Sequence, residues 1–150
     1  METRKEKQNN QYVYSWFFLF AACTIIYQQI QDKYRPNYKG GNETIRYLLG
    51  IAPNFLPAIG LPAIFLLLLP LVKPQNSKNV LWSKLKHITA MVISLSGLIL
   101  WEVIQSTLPK ARFDWNDILW TLTGCLEFYC IWHIVPESFR QENKSEAQSS

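Results

Sequence analysis

Glu102 and Gln105 stand three residues apart, and Arg112, Asp114 and Asp117 follow them closely. Residues three apart share one face of a helix, so an acid and an amide are presented side by side. A guanidinium bridges carboxylates with bidentate geometry and keeps its charge where water is scarce. Glu102 and Asp117 would supply acceptors, Arg112 the cation, and Gln105 a neutral donor and acceptor. Asp114 and Asp117 also suit a helix N-terminus, where free amides and the dipole favour a carboxylate. Glu102 has no such explanation, because it falls near the C-terminal end of its helix, where the dipole opposes it. Two readings stay open: a clamp that fixes two helices, and a pocket that recognises a headgroup or solute.

Glu127 is a second acid in apolar surroundings. Burial favours its protonated form, so a neutral acid hydrogen-bonded inside a bundle is the simplest account, with a proton relay as the functional one. His133 lies about 120° further round the helix and is no direct partner for it. Cys125, Cys130 and His133 lack the second ligand pair of a zinc site, and the thiols are expected to be buried as small apolar groups. The chain has no glycine-rich phosphate loop, nucleophile elbow or His-x-x-x-His pair. No metal, cofactor or catalytic residue is therefore expected.

The elements that must position these residues are membrane helices. The 150 residues are 49% hydrophobic and 17% charged, and their mean hydropathy is near zero, as in a soluble domain. The placement of the charges says otherwise. The 15 basic and 11 acidic side chains are clustered, leaving positions 8–31, 47–72 and 87–101 uncharged. A bilayer crossing needs about 20 mostly apolar residues. The expectation is an all-α integral membrane four-helix bundle with spans at 13–30, 51–72, 87–108 and 115–135. Residues 1–12 would form a cytoplasmic tail and 136–150 a disordered one. The short link Leu108-Pro109-Lys110 makes the last two spans an antiparallel hairpin, which brings Arg112 and Asp117 to the depth of Glu102. The composition is too apolar for a disordered chain, and three cysteines are too few for a disulfide-stapled miniprotein.

With the N-terminus inside, the cytoplasmic segments hold nine Lys and Arg residues and the outer loops six. Both termini are therefore expected to be cytoplasmic. The basic balance reads as membrane orientation and not as nucleic-acid binding. The six tryptophans are expected mostly near the ends of spans, as an aromatic belt. Phe20-Ala21-Ala22-Cys23 approximates a lipoprotein cleavage box, but apolar sequence continues past it through Ile25 and Ile26, which favours an uncleaved span. The second span carries Pro53, Pro57, Pro62 and Pro70 with Asn54 and Gly60 among them. A kinked helix, or an interfacial segment leading into a later span, is expected there. A broken helix of the kind that forms transporter sites is the minority alternative.

Trp101-Glu102-Val103-Ile104-Gln105, then Arg112-Phe113-Asp114, then Asp117 and Gly124, resembles the VanZ-like family of small membrane proteins. Thr121 stands where that family has Asn, which keeps a hydrogen-bonding side chain but loses the amide. Asn54, Pro57 and Gly60 resemble the family's Asn-to-Pro-x-Gly stretch in compressed form. The firm resemblance covers residues 98–126. It implies a bacterial cytoplasmic membrane protein whose partners are membrane lipids and an envelope-active glycolipid or glycopeptide, with a link to antibiotic resistance. It assigns no catalytic residue. The expected function is an outer-face polar cluster that binds a headgroup. The alternatives are a small transporter or its subunit using the second span and Glu127, oligomeric so as to enclose a path, and a lipid-headgroup enzyme with Glu102 or Asp117 as base.

Overall fold

The computed structural model describes residues 4–72, 80–108 and 113–140, and every regular element among them is helical. α1 (Arg4–Gln29) continues through a π-helical turn, Ile30–Tyr34, into the short α2 (Arg35–Asn37). α3 covers Glu43–Val72, α4 Val80–Ser106 and α5 Trp115–Ile134, and a 3-10 turn follows at Glu137–Phe139. Three stretches, Asn9–Asn37, Glu43–Val72 and Leu85–Ser106, are long and apolar enough to cross a membrane. α5 forms where the fourth span is expected but is not among the three. Asn116, Asp117, Thr121, Thr123, Glu127 and His133 dilute its apolar content.

α3 is the hub of the fold. α1, α4 and α5 all pack on it, and α4 also packs on α5. The crossings are close because small residues lie in them. A Cβ on Gly124 of α5 would stand 2.5 Å from the Phe55 carbonyl oxygen and 2.7 Å from the Ala58 Cβ of α3. A Cβ on Gly60 of α3 would stand 3.0 Å from the Cys23 Cβ of α1.

Asn42 starts α3, its Oδ1 accepting from the backbone amides of Thr44 at 3.0 Å and Ile45 at 3.3 Å. One continuous helix therefore replaces the expected interfacial segment, and Pro53, Pro57, Pro62 and Pro70 all lie inside it. Each proline deprives the carbonyl four residues earlier of its helical donor. Two of these carbonyls find donors on neighbouring helices. The Cys125 thiol donates to Ala58, freed by Pro62, at 3.8 Å. The Tyr12 hydroxyl donates to Leu66, freed by Pro70, at 3.2 Å. Where no water is at hand, such donors keep a proline-rich helix tolerable.

The apolar core lies at the end of the bundle where α1 begins and α3 and α5 finish. Tyr12, Trp16, Leu66, Phe128 and Trp132 are buried there around Ala63 and Ala90. The Trp16 ring lies 5.7 Å from Phe128 and 5.4 Å from Trp132, and His87 stacks on Trp132 at 4.8 Å. Trp16 and Trp132 are thus core residues, whereas Trp101 and Trp115 are exposed as a belt would have them. The Trp16 indole donates to the Phe139 carbonyl at 2.7 Å. That bond ties the turn at Glu137–Phe139 to the bundle, so the ordered chain runs past the expected boundary at 136. At the other terminus the helix begins at Arg4, within the segment expected as a tail. Phe17, Phe18, Ile25, Ile26, Val92, Leu100, Leu122 and Leu126 face outward, giving an apolar exterior suited to lipid.

Candidate functional site

The opposite end of the bundle holds a polar cavity of about 910 Å3. Every long helix contributes to it. α4 brings Glu102 and Gln105, α5 brings Asp117 and Thr121, and Asp114 and Asn116 come from the start of α5. α3 brings Glu43, Arg46, Tyr47, Pro53 and Asn54. α1 brings Tyr27, and its continuation through the π turn carries Gln31 to the wall and leads to Arg35 on α2. Single π turns inside longer helices often mark functional positions.

Glu102 is 7% exposed, and its carboxylate accepts from the Asp114 backbone amide at 3.4 Å. Asp114 caps α5, its Oδ1 accepting from the Asn116 amide at 2.8 Å. This is the structural role that its position suggests. The Asn54 side chain stands near the Asp117 carboxylate, and the charges of Glu102, Asp114 and Arg35 all act on it. The Thr121 hydroxyl donates to the Asp117 carbonyl at 2.9 Å, so Thr121 fixes the backbone beneath the acid. Arg35 donates to the Gln31 side chain at 3.2 Å. Trp120 donates to the Tyr47 hydroxyl at 3.0 Å, and that hydroxyl lies 3.4 Å from Asn116 Oδ1, closing the rim between α3 and α5.

Glu102, Gln105, Asp114 and Asp117, named from spacing, line this one cavity together with Asn54 and with Thr121, which the family resemblance singled out. Arg112, the expected counter-charge, lies outside the described residues. Arg35 and Arg46 bring cations to the wall instead, and nothing in the spacing pointed to them. Glu127 is not part of the site. It is exposed on α5, beside a buried stripe of Thr121, Gly124, Cys125, Phe128 and Trp132, which corrects the expectation of an acid held inside the bundle. Cys23 and Cys125 are buried, whereas Cys130 is exposed. With α3 continuous and Glu127 on the exterior, the two features behind the transporter alternative do not meet.

Chemically, the cavity is a set of acceptors and two guanidinium groups. Its described lining includes no Ser, Cys, His or Lys side chain. Among the described residues no group of three or more His, Cys, Asp or Glu is arranged to hold a metal ion. The arrangement suits reversible recognition of a ligand rich in donors, with a place for an anion. No family model matches the chain, and neither a curated protein nor a solved structure does so.

Proposed function

We propose that this chain is a membrane protein whose cavity takes up the polar headgroup of an envelope lipid. In this reading both termini are cytoplasmic and the cavity opens at the outer face of a bacterial cytoplasmic membrane. One observation carries the proposal: polar residues from four long helices converge on a single cavity of about 910 Å3 at one end of a bundle with an apolar exterior. Acids and amides are costly at the edge of a bilayer unless they are paired or used. The volume lies in the range of ordinary ligand sites, roughly 300–1,000 Å3. The resemblance to the VanZ-like family belongs to the same proposal, since Glu102, Gln105 and Asp117 are among the residues that carry it.

The test is native mass spectrometry of the protein extracted from its own membrane in mild detergent. Wild type should retain a lipid that Asp117→Asn and Glu102→Gln release, each with affinity lowered about tenfold, as for loss of one charge-assisted hydrogen bond. Equal retention by wild type and both variants would overturn the reading.

A further inference from the structure

An apolar groove lies beside the polar cavity. Phe20, Cys23 and Thr24 of α1 and Gly60 and Leu61 of α3 line a second cavity of about 240 Å3. Tyr27 and Pro57 belong to the walls of both, so the two spaces adjoin. Gly60 keeps the groove open, since it adds no side chain where α1 and α3 cross.

The charges of the polar cavity are unevenly placed. Glu102, Asp114 and Asp117 gather on the side formed by α4 and α5, and Glu102 and Asp114 both act on Asp117. Arg35 and Arg46 stand on the side formed by α2 and the first turn of α3, with Glu43 beside them. A cluster of carboxylates favours an ammonium group, and guanidinium groups favour a phosphate. One ligand with both charges a few bonds apart would satisfy both sides.

From these placements we infer that the site holds a whole zwitterionic phospholipid, with its amine on Glu102 and Asp117, its phosphate on Arg35 and Arg46, and one acyl chain in the groove between α1 and α3. This rests on the headgroup reading of the same cavity and gives it a ligand class. The charge arrangement discriminates against an anionic lipid, whose headgroup brings no cation to the three carboxylates. The groove discriminates against a free headgroup, because apolar burial adds affinity in proportion to the chain covered.

The test uses the full chain in detergent, titrated with phosphatidylethanolamine, phosphatidylglycerol of identical chains, and glycerophosphoethanolamine. Wild type should bind the ethanolamine lipid about tenfold more tightly than the glycerol lipid, and the chain-free headgroup about tenfold more weakly than the parent lipid. Thr24 is exposed, and its hydroxyl bonds only within its own helix, to the Phe20 carbonyl. Thr24→Trp therefore fills the groove without opening the core. It should weaken the lipid about fivefold and leave glycerophosphoethanolamine binding unchanged. Equal affinity for the two lipids, or a Thr24→Trp protein that binds the ethanolamine lipid like wild type, overturns the inference. A glycolipid bound in preference to both, and lost with Asp117→Asn, would preserve the headgroup reading and remove this one. If Asp117→Asn changes no affinity at all, the headgroup reading itself has failed.

Discussion

At one end of the bundle Trp16, Phe128, Trp132 and His87 pack ring on ring, and the carbonyls released by Pro62 and Pro70 are matched by donors from other helices. At the other end the same helix α3 has Pro53 and Pro57, and both residues line an open cavity with Asn54 between them. Pro57 there frees the carbonyl of Pro53. One helix thus uses the same residue type in two ways: satisfied and enclosed at the aromatic end, beside a polar space at the other. The difference teaches where stability and function are separated. Burial of rings fixes the positions of the helices, and that fixed frame allows four helices to hold polar groups apart around a space.

The largest effect should come from removing a ring. Phe128 is fully buried against Trp16. Phe128→Ala should cost about 3–5 kcal/mol, from lost transfer free energy and the cavity left behind. Thermal unfolding in detergent measures it, and a loss below about 1 kcal/mol would remove the contrast between the two ends. Gly124 lies between them. Gly124→Ala places a methyl 2.5 Å from the Phe55 carbonyl oxygen and must push α5 off α3. A loss of about 1–3 kcal/mol is expected. Because Phe55 and Ala58 lie next to the cavity-lining Asn54 and Pro57, lipid retention should fall with stability; retention unchanged at lowered stability would show that the cavity does not depend on this crossing.

Tyr12 tests the satisfied prolines. Its hydroxyl donates to the Leu66 carbonyl and accepts from Lys86 at 3.1 Å. Tyr12→Phe leaves that carbonyl buried and without its donor, at a cost of about 1–2 kcal/mol. Restoring the helical donor with Pro70→Ala should recover the carbonyl's share of the loss, leaving that of the Lys86 bond. A double variant no more stable than Tyr12→Phe alone would show that the proline is not the reason for the hydroxyl.

Much of this was legible from charge placement. Uncharged stretches located the three apolar helices, and the spacing of Glu102, Gln105 and Asp117 located one wall of the cavity. The opposite wall was not legible. Arg35 and Gln31 sit in a segment that reads as a polar connection, and only the π turn at Ile30–Tyr34 carries the helix through it. Arg46 and Tyr47 were hidden for the same reason, since the apolar run begins after them while the helix begins at Glu43, where Asn42 caps it. Hydropathy marks where lipid begins and says nothing about helices that continue beyond it. Glu127 was misplaced for a different reason. The rotation of α5 is set by the contact of Gly124 with Phe55, a tertiary fit that no periodicity encodes.

The smallest expected effect on stability is also the one that separates clamp from pocket. Glu102 is buried, and its hydrogen bond to the Asp114 amide is long at 3.4 Å. It faces Asp117, and Asp114 adds a third carboxylate to the same side. A clamp residue should stabilise what it joins, whereas a binding residue placed among like charges costs stability until its ligand arrives. Glu102→Gln keeps the shape and the acceptor oxygen but removes one of the three charges. The empty protein should therefore be unchanged or more stable by about 0.5 kcal/mol, while retention of the amine-bearing lipid falls. The gain should shrink as salt is raised, because repulsion at a cavity open to water is screened. A destabilisation comparable to Phe128→Ala would make Glu102 a structural member of the frame, and the two ends of the bundle would then differ in chemistry but not in purpose.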